Sequence, residues 1–230
     1  MAANLQRIKH INVFQTHILF MYTKYSAFPA SINVMDDSHF EEKDSTMLDS
    51  LKALLEEQIK DLYNAENQLV KALPKLAKAA SSENLRSAFE SHLEQTRVHI
   101  ERLAQIAKLL GTAPGGKKCK AMEGLVAEGA EVLVEKGEPA LIDIALIAAA
   151  RRVEHYEISA YGSAIAIAEA LGEDQIVALL EKTLDEEGDA DEKLGSICTE
   201  ELLPAAVENS DTPKVEEMSK PRPTRKPVRT

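Results

Sequence analysis

Between residues 45 and 203 apolar side chains recur at three- and four-residue steps, the spacing that lines one face of a helix. Leu51, Leu55, Ile59, Leu62, Leu69, Leu73 and Leu76 predict a helix over 45–80, with Pro74 bending its last turns or ending its regular part. Leu85, Phe89, Leu103, Ile106 and Leu110 predict a second over 82–110, stopped by Gly111 and Pro114. A third is expected from Pro139, a favourable first-turn residue, to Leu171, with Gly172 as its cap. Ile176, Leu180, Leu194 and Ile197 mark a fourth over 173–203, ending at Pro204. A short amphipathic piece around Met122, Leu125, Val126 and Leu133 occupies the gap between the second and third.

Connection lengths then set the topology. The turn at 80–83 and the cap at Gly172 are too short for anything but antiparallel neighbours. The stretch 111–138 is long enough to run the length of a bundle. Two antiparallel hairpins joined by one long crossover make an all-α, ferritin-like four-helix bundle whose crossover carries short helices. Composition agrees: 4% aromatic residues and no Trp argue against a sheet, while 44% hydrophobic and 28% charged residues are a globular balance.

Charge divides the chain. Residues 1–35 and 209–230 each carry a net +3, which leaves −17 of the total −11 on 36–208. Such a body repels a polyanion, so nucleic acid is excluded as its partner. No run of eighteen or more residues is apolar enough to span a membrane. Two cysteines, Cys119 and Cys198, are too few for a disulfide framework or a four-thiolate zinc site, and fit a reducing, cytoplasmic setting without a catalytic role. The expected organisation is a poorly ordered N-terminal extension over 1–46, a helical bundle over 47–208, and a disordered tail over 209–230 rich in Pro, Lys and Arg. Residues 11–22 are too interrupted for a clean targeting peptide, so Met35 or Met47 is the expected working start. The partner of the basic tail stays open.

The chemistry lies in what interrupts the apolar stripes. Glu66 falls between Leu62 and Leu69; His92 and His99 stand seven apart on the second helix, with Thr96 between them. Glu154 and Glu157 are three apart on the third helix, and Glu187 and Asp191 continue the stripe of the fourth. A buried carboxylate has to be paired, protonated or bound to a cation. Carboxylates with one or two imidazoles suit Fe or Mn, in a site that can be dinuclear. The recurrent pattern is one Glu from each of two helices and Glu-x-x-His from each of the others. Here Thr96 replaces the Glu of that motif before His99, and Ala190 stands three after Glu187 where the second His belongs. Bland alternatives stand beside each assignment: Arg151 or Arg152 could neutralise Glu154, and His92 and Glu157 could be hydrogen bonders at the core edge.

Several blocks carry a resemblance. They are Glu57 to Leu69, Phe89 to Thr96, Cys119 to Leu125, Glu154 to Gly162 and Thr183 to Glu187. In this order they resemble the YciF-like family of ferritin-like bacterial stress proteins, over about Leu48 to Ala206. The resemblance implies a cytoplasmic homodimer linked to osmotic, starvation or oxidative stress, with Glu66, Glu154 or Glu157, and Glu187 as metal ligands. Two functions remain: an Fe or Mn centre acting on peroxide, oxygen or ferrous iron, or a non-catalytic helical stress protein that works through protein interactions. Whether the chain is an enzyme is left open.

Overall fold

The computed structural model describes residues 48–211; the expectations for 1–46 and for the tail beyond 211 lie outside them. Helix α1 spans Leu51–Ala79, α2 Glu83–Leu110, α3 Lys120–Val132, α4 Pro139–Leu171, α5 Asp174–Ser196 and α6 Leu203–Asp211. A π-helical segment, Ile197–Leu202, joins the last two. No strand occurs among the described residues. The hairpins α1–α2 and α4–α5 pack side by side, α1 on α4 and α2 on α5, while α3 crosses from one hairpin to the other over α1 and α4. This is the ferritin-like four-helix bundle that the loop lengths predict.

Local chemistry places the ends. Ser50 caps α1 by accepting from the Ala53 N–H, so the helix begins at Leu51 and not at Ser45. Pro74 does not end it. The proline ring is exposed, so the carbonyl it leaves without an intrahelical donor lies on the wet side of the helix. Gly111 and Gly172 take left-handed conformations, φ 78° and 71°, and close α2 and α4 as expected. Pro204 does not stop the fourth helix either. The chain widens into the π segment, where the Leu203 N–H donates to the Cys198 carbonyl, and Pro204 falls in the first turn of α6, where no intrahelical donor is needed.

The apolar core is in two parts. Leu55, Ile59, Leu62, Leu103, Ile106, Tyr161, Ile165, Ile176 and Leu180 fill one end of the bundle. Leu69, Leu73, Leu85, Phe89, Leu146, Ile147, Val153 and Leu194 fill the other, where Met122 and Cys119 of the crossover join them. Cys119 is buried and caps α3 through its thiol, which lies 2.9 Å from the Tyr156 hydroxyl; that hydroxyl donates to Asp61 at 2.6 Å. Between the two apolar parts, all four long helices turn polar side chains inward.

One buried carboxylate ties the hairpins together away from that layer. Asp143 of α4 accepts from the Ser81 and Ser82 N–H groups, at 2.9 and 2.7 Å, and so holds the α1–α2 turn. Asp143→Ala leaves both donors without a partner and is expected to cost about 2 kcal/mol or more in urea unfolding. An unchanged midpoint would show that water replaces the carboxylate without loss.

Candidate metal centre

The polar layer forms because each helix interrupts its apolar stripe at mid-length and on the inner face. Glu66 replaces a core residue of α1 between Leu62 and Leu69, and is fully buried. His92, Thr96 and His99 occupy one face of α2. Glu154 and Glu157 are one turn apart on α4, and Glu187 lies on α5 between Leu180 and Leu194. All are buried, none more than 6% exposed.

Six side chains converge in two overlapping groups. His92, Glu154, Glu157 and Glu187 bring their ligand atoms within 4.8 Å of one another, and Glu66, His99 and Glu187 do the same. Glu187 belongs to both. One of its oxygens is 2.9 Å from His99 Nδ1, and the other is 3.5 Å from His92 Nε2. His92 Nε2 is 3.6 Å from Glu154, and His99 Nδ1 is 3.5 Å from Glu66. Both carboxylate oxygens of Glu157 and of Glu187, one each of Glu66 and Glu154, His92 Nε2 and His99 Nδ1 make no hydrogen bond. Such concentration is abnormal, since buried polar groups are almost always satisfied.

These atoms fit a divalent cation pair. Four carboxylates bring four negative charges, which two divalent ions would neutralise, and oxygen with imidazole donors suits Fe or Mn. Other residues stand beside the departures from the recurrent pattern. Thr96, where that pattern places a bridging carboxylate, is spent on a hydrogen bond to the His92 carbonyl at 2.8 Å. The histidine absent from α5 is replaced by His92 on α2, one turn before Thr96. An additional carboxylate comes from Glu154, one turn before Glu157.

Asp191 is not brought to this cluster, contrary to its place in the sequence stripe. Four residues past Glu187 the helix has turned about 40° beyond a full circle. There Arg151 grips both Asp191 oxygens, at 2.7 and 2.9 Å, and His155 adds a contact at 3.3 Å. Burial would raise the Asp191 pKa, but Arg151 outweighs it and holds the carboxyl below its usual range. The neutralising pair that the sequence offers for Glu154 therefore falls on Asp191. Arg152 points to Glu128 instead, 3.8 Å away.

Three contributors escaped the sequence reading. Tyr161 of α4, four residues after Glu157, donates to Glu66 at 2.5 Å. The Glu186 carboxylate meets His99 Nε2 at 2.8 Å and is itself clamped by Arg102 through both terminal guanidinium nitrogens, at 2.5 and 2.9 Å. This arrangement holds a proton of His99 on Nε2 and turns Nδ1 inward, so that loss of the Nδ1 proton would leave a lone pair facing the layer, the outer-shell support expected of a metal-ligating histidine. A spacing of i to i+4 could have suggested Tyr161. Glu186 lies off the apolar stripe beside Glu187, and nothing local marks it.

Without a cation, protons do the balancing. Burial raises the Glu66 pKa to about 7 despite the opposing His99, and lifts Glu154 and Glu157 well above the carboxylate range. Burial would lower His99, yet the Glu187 and Glu66 carboxylates beside its Nδ1 hold it at about 10, an imidazolium. Burial lowers His92, against the pull of Glu187.

The comparisons with known proteins come to the same bundle. A family model described as a domain of unknown function (DUF892) matches residues 50–207. Protein YciF of Escherichia coli K12 is 46% identical over 137 residues, 59% of this chain and 82% of its own. The crystal structure of that stress protein superposes with a TM-score of 0.64 at 42% identity, covering 65% of this chain and 95% of YciF. YcfI of Rhodopseudomonas palustris, described as structural, gives 0.64 at 42%, over 68% and 98% of the two chains. Ferritin-like, diiron-carboxylate proteins of Bacillus anthracis Ames give 0.52 at 20% identity, over 65% and 98%, a likeness of fold alone.

The titrations set a pH dependence. Groups whose folded pKa is raised bind protons that the unfolded chain has released, so stability falls as pH rises through the folded value. Glu66, Glu154, Glu157 and His99 all act in this sense; His92 opposes them only below its ordinary 6.5. In chelator the melting temperature is expected to fall between pH about 6.5 and about 8.5. A melting temperature that climbs over this window would contradict the protonated, metal-free cluster.

Proposed function

We propose that this chain, which belongs to the DUF892 family, is a stress-response protein that binds a centre of up to two Fe or Mn ions in its polar layer. The observation that carries the reading is the sharing of Glu187 by both groups of donors, amid eight buried polar atoms without hydrogen-bond partners. Glu66 and His99 would hold one ion, and His92, Glu154 and Glu157 the other, with Glu187 available to both. When bound, such ions supply redox and Lewis-acid chemistry toward peroxide, dioxygen or ferrous iron.

The residues have separate tasks. The carboxylates neutralise charge and exchange their protons for the cations, so binding releases protons and tightens as pH rises. His99 gives up its Nδ1 proton while Glu186 retains the one on Nε2. Tyr161 steadies one oxygen of Glu66 and leaves the other for the ion. The two apolar parts of the core exclude water above and below the layer.

The stress role rests on the likeness to YciF, itself described as a stress protein. A cytoplasmic homodimer completes the reading; no described helix is long and apolar enough to cross a membrane. The proposed organisation keeps the bundle as one domain between two extensions.

Metal content measured by plasma mass spectrometry on untagged, aerobically purified protein tests this directly. About two Fe or Mn per chain are expected. Glu187→Ala should lose both, whereas His92→Ala should keep about one, because only Glu187 serves both groups. A metal-free protein whose melting temperature is unmoved by Fe²⁺ or Mn²⁺ would favour a non-catalytic bundle, acting through partners and balanced by its own protons.

A further inference from the structure

A cavity of about 100 Å³ lies between α2 and α5 and ends on the polar layer. Its outer wall is Ser91 of α2 with Asp189 and Lys193 of α5, all exposed; its inner end is His92 and Glu154, both buried. His92 Nε2 and one Glu154 oxygen are buried and have no hydrogen-bond partner. Glu66 and His99 do not line it and are wholly buried. A second cavity, between α1, α3 and α4, is half the size, about 50 Å³, and its lining is apolar except for Lys75.

We infer that this cavity is the reactant pocket of the centre and takes a ligand of two or three heavy atoms, of the dioxygen or peroxide class. The inference rests on the metal reading above. Three observations argue for it. The cavity joins solvent to one half of the layer only, so a ligand arrives beside His92 and Glu154. Its volume is below the roughly 150 Å³ that accommodates a benzene ring, which excludes ring-sized substrates without a rearrangement of the helices. Finally, Ala190 stands in its wall, where a larger side chain would close the passage between the helices.

The test uses full-length protein loaded with Co²⁺ under argon, with azide as the small probe and benzoate as one too large. Azide is expected to shift the visible Co²⁺ bands, and benzoate to leave them unchanged. Ala190→Phe should fill the cavity and raise the azide concentration needed at least tenfold, with the Co²⁺ stoichiometry unchanged. Ser91→Trp, on the facing wall, decides the matter if the first variant does not fold. Equal azide binding in wild type and plugged variant, or a benzoate shift like that of azide, overturns the pocket while the metal site stands. A wild-type chain that takes up no Co²⁺ overturns the metal reading, and the pocket with it.

Discussion

A carboxylate that leaves water needs a counter-charge, and four of them face one another in the middle of this bundle. Everything around them answers that need. Apolar packing above and below removes the solvent that would screen them, and so sharpens the repulsion. The two histidines and the Tyr161 hydroxyl are the polar partners within reach, and the remaining deficit is met by protons or by cations. An apolar layer at this level would pack more simply, so the bundle carries a stability cost at its centre.

The metal-free state is itself organised. His99 is an imidazolium whose Nδ1 proton faces Glu66 and Glu187, where a cation would bind, while protons held on Glu154 and Glu157 cancel much of what remains. Glu186 and Arg102 hold His99 from outside, and Arg102 reaches further to Thr183. On the metal reading proposed above, protons and cations would therefore be two ways of filling one set of positions. Exchange between them requires little movement of the helices, because the ligand atoms already lie within a few ångströms of one another.

The departures from the recurrent four-helix metal pattern show which features can be moved. If the layer holds metal as proposed, a histidine can come from the neighbouring helix when it lies one turn away on the inner face, as His92 does. A carboxylate can be displaced by one turn along α4, as Glu154 is relative to Glu157. What the layer requires is a count of donors and a charge, and these are properties of the space between helices, not of any single helix.

Much of this was legible in the chain. The stripes, the turn at 80–83, Gly172 and the long connection determined an all-helical bundle of two hairpins and a crossover, because side-chain period and loop reach are local properties. Glu66, His92, His99, Glu154, Glu157 and Glu187 stood out for the same reason, each occupying a position where a core-facing helix carries an apolar residue. The helix ends were less legible: Pro74 read as a bend or an end and Pro204 as a stop, yet one lies on the wet face inside α1 and the other follows a π turn. Tertiary structure alone decided which polar residues meet. Asp191 followed the stripe of α5 as well as Glu187 does, but a further 40° of rotation delivers it to Arg151 of the neighbouring helix. Glu186, off that stripe, reaches His99 across 87 residues of sequence. Helical periodicity assigns a side chain to a face, whereas its partner depends on the rotation and level of the helix opposite, and no short stretch of sequence carries that information.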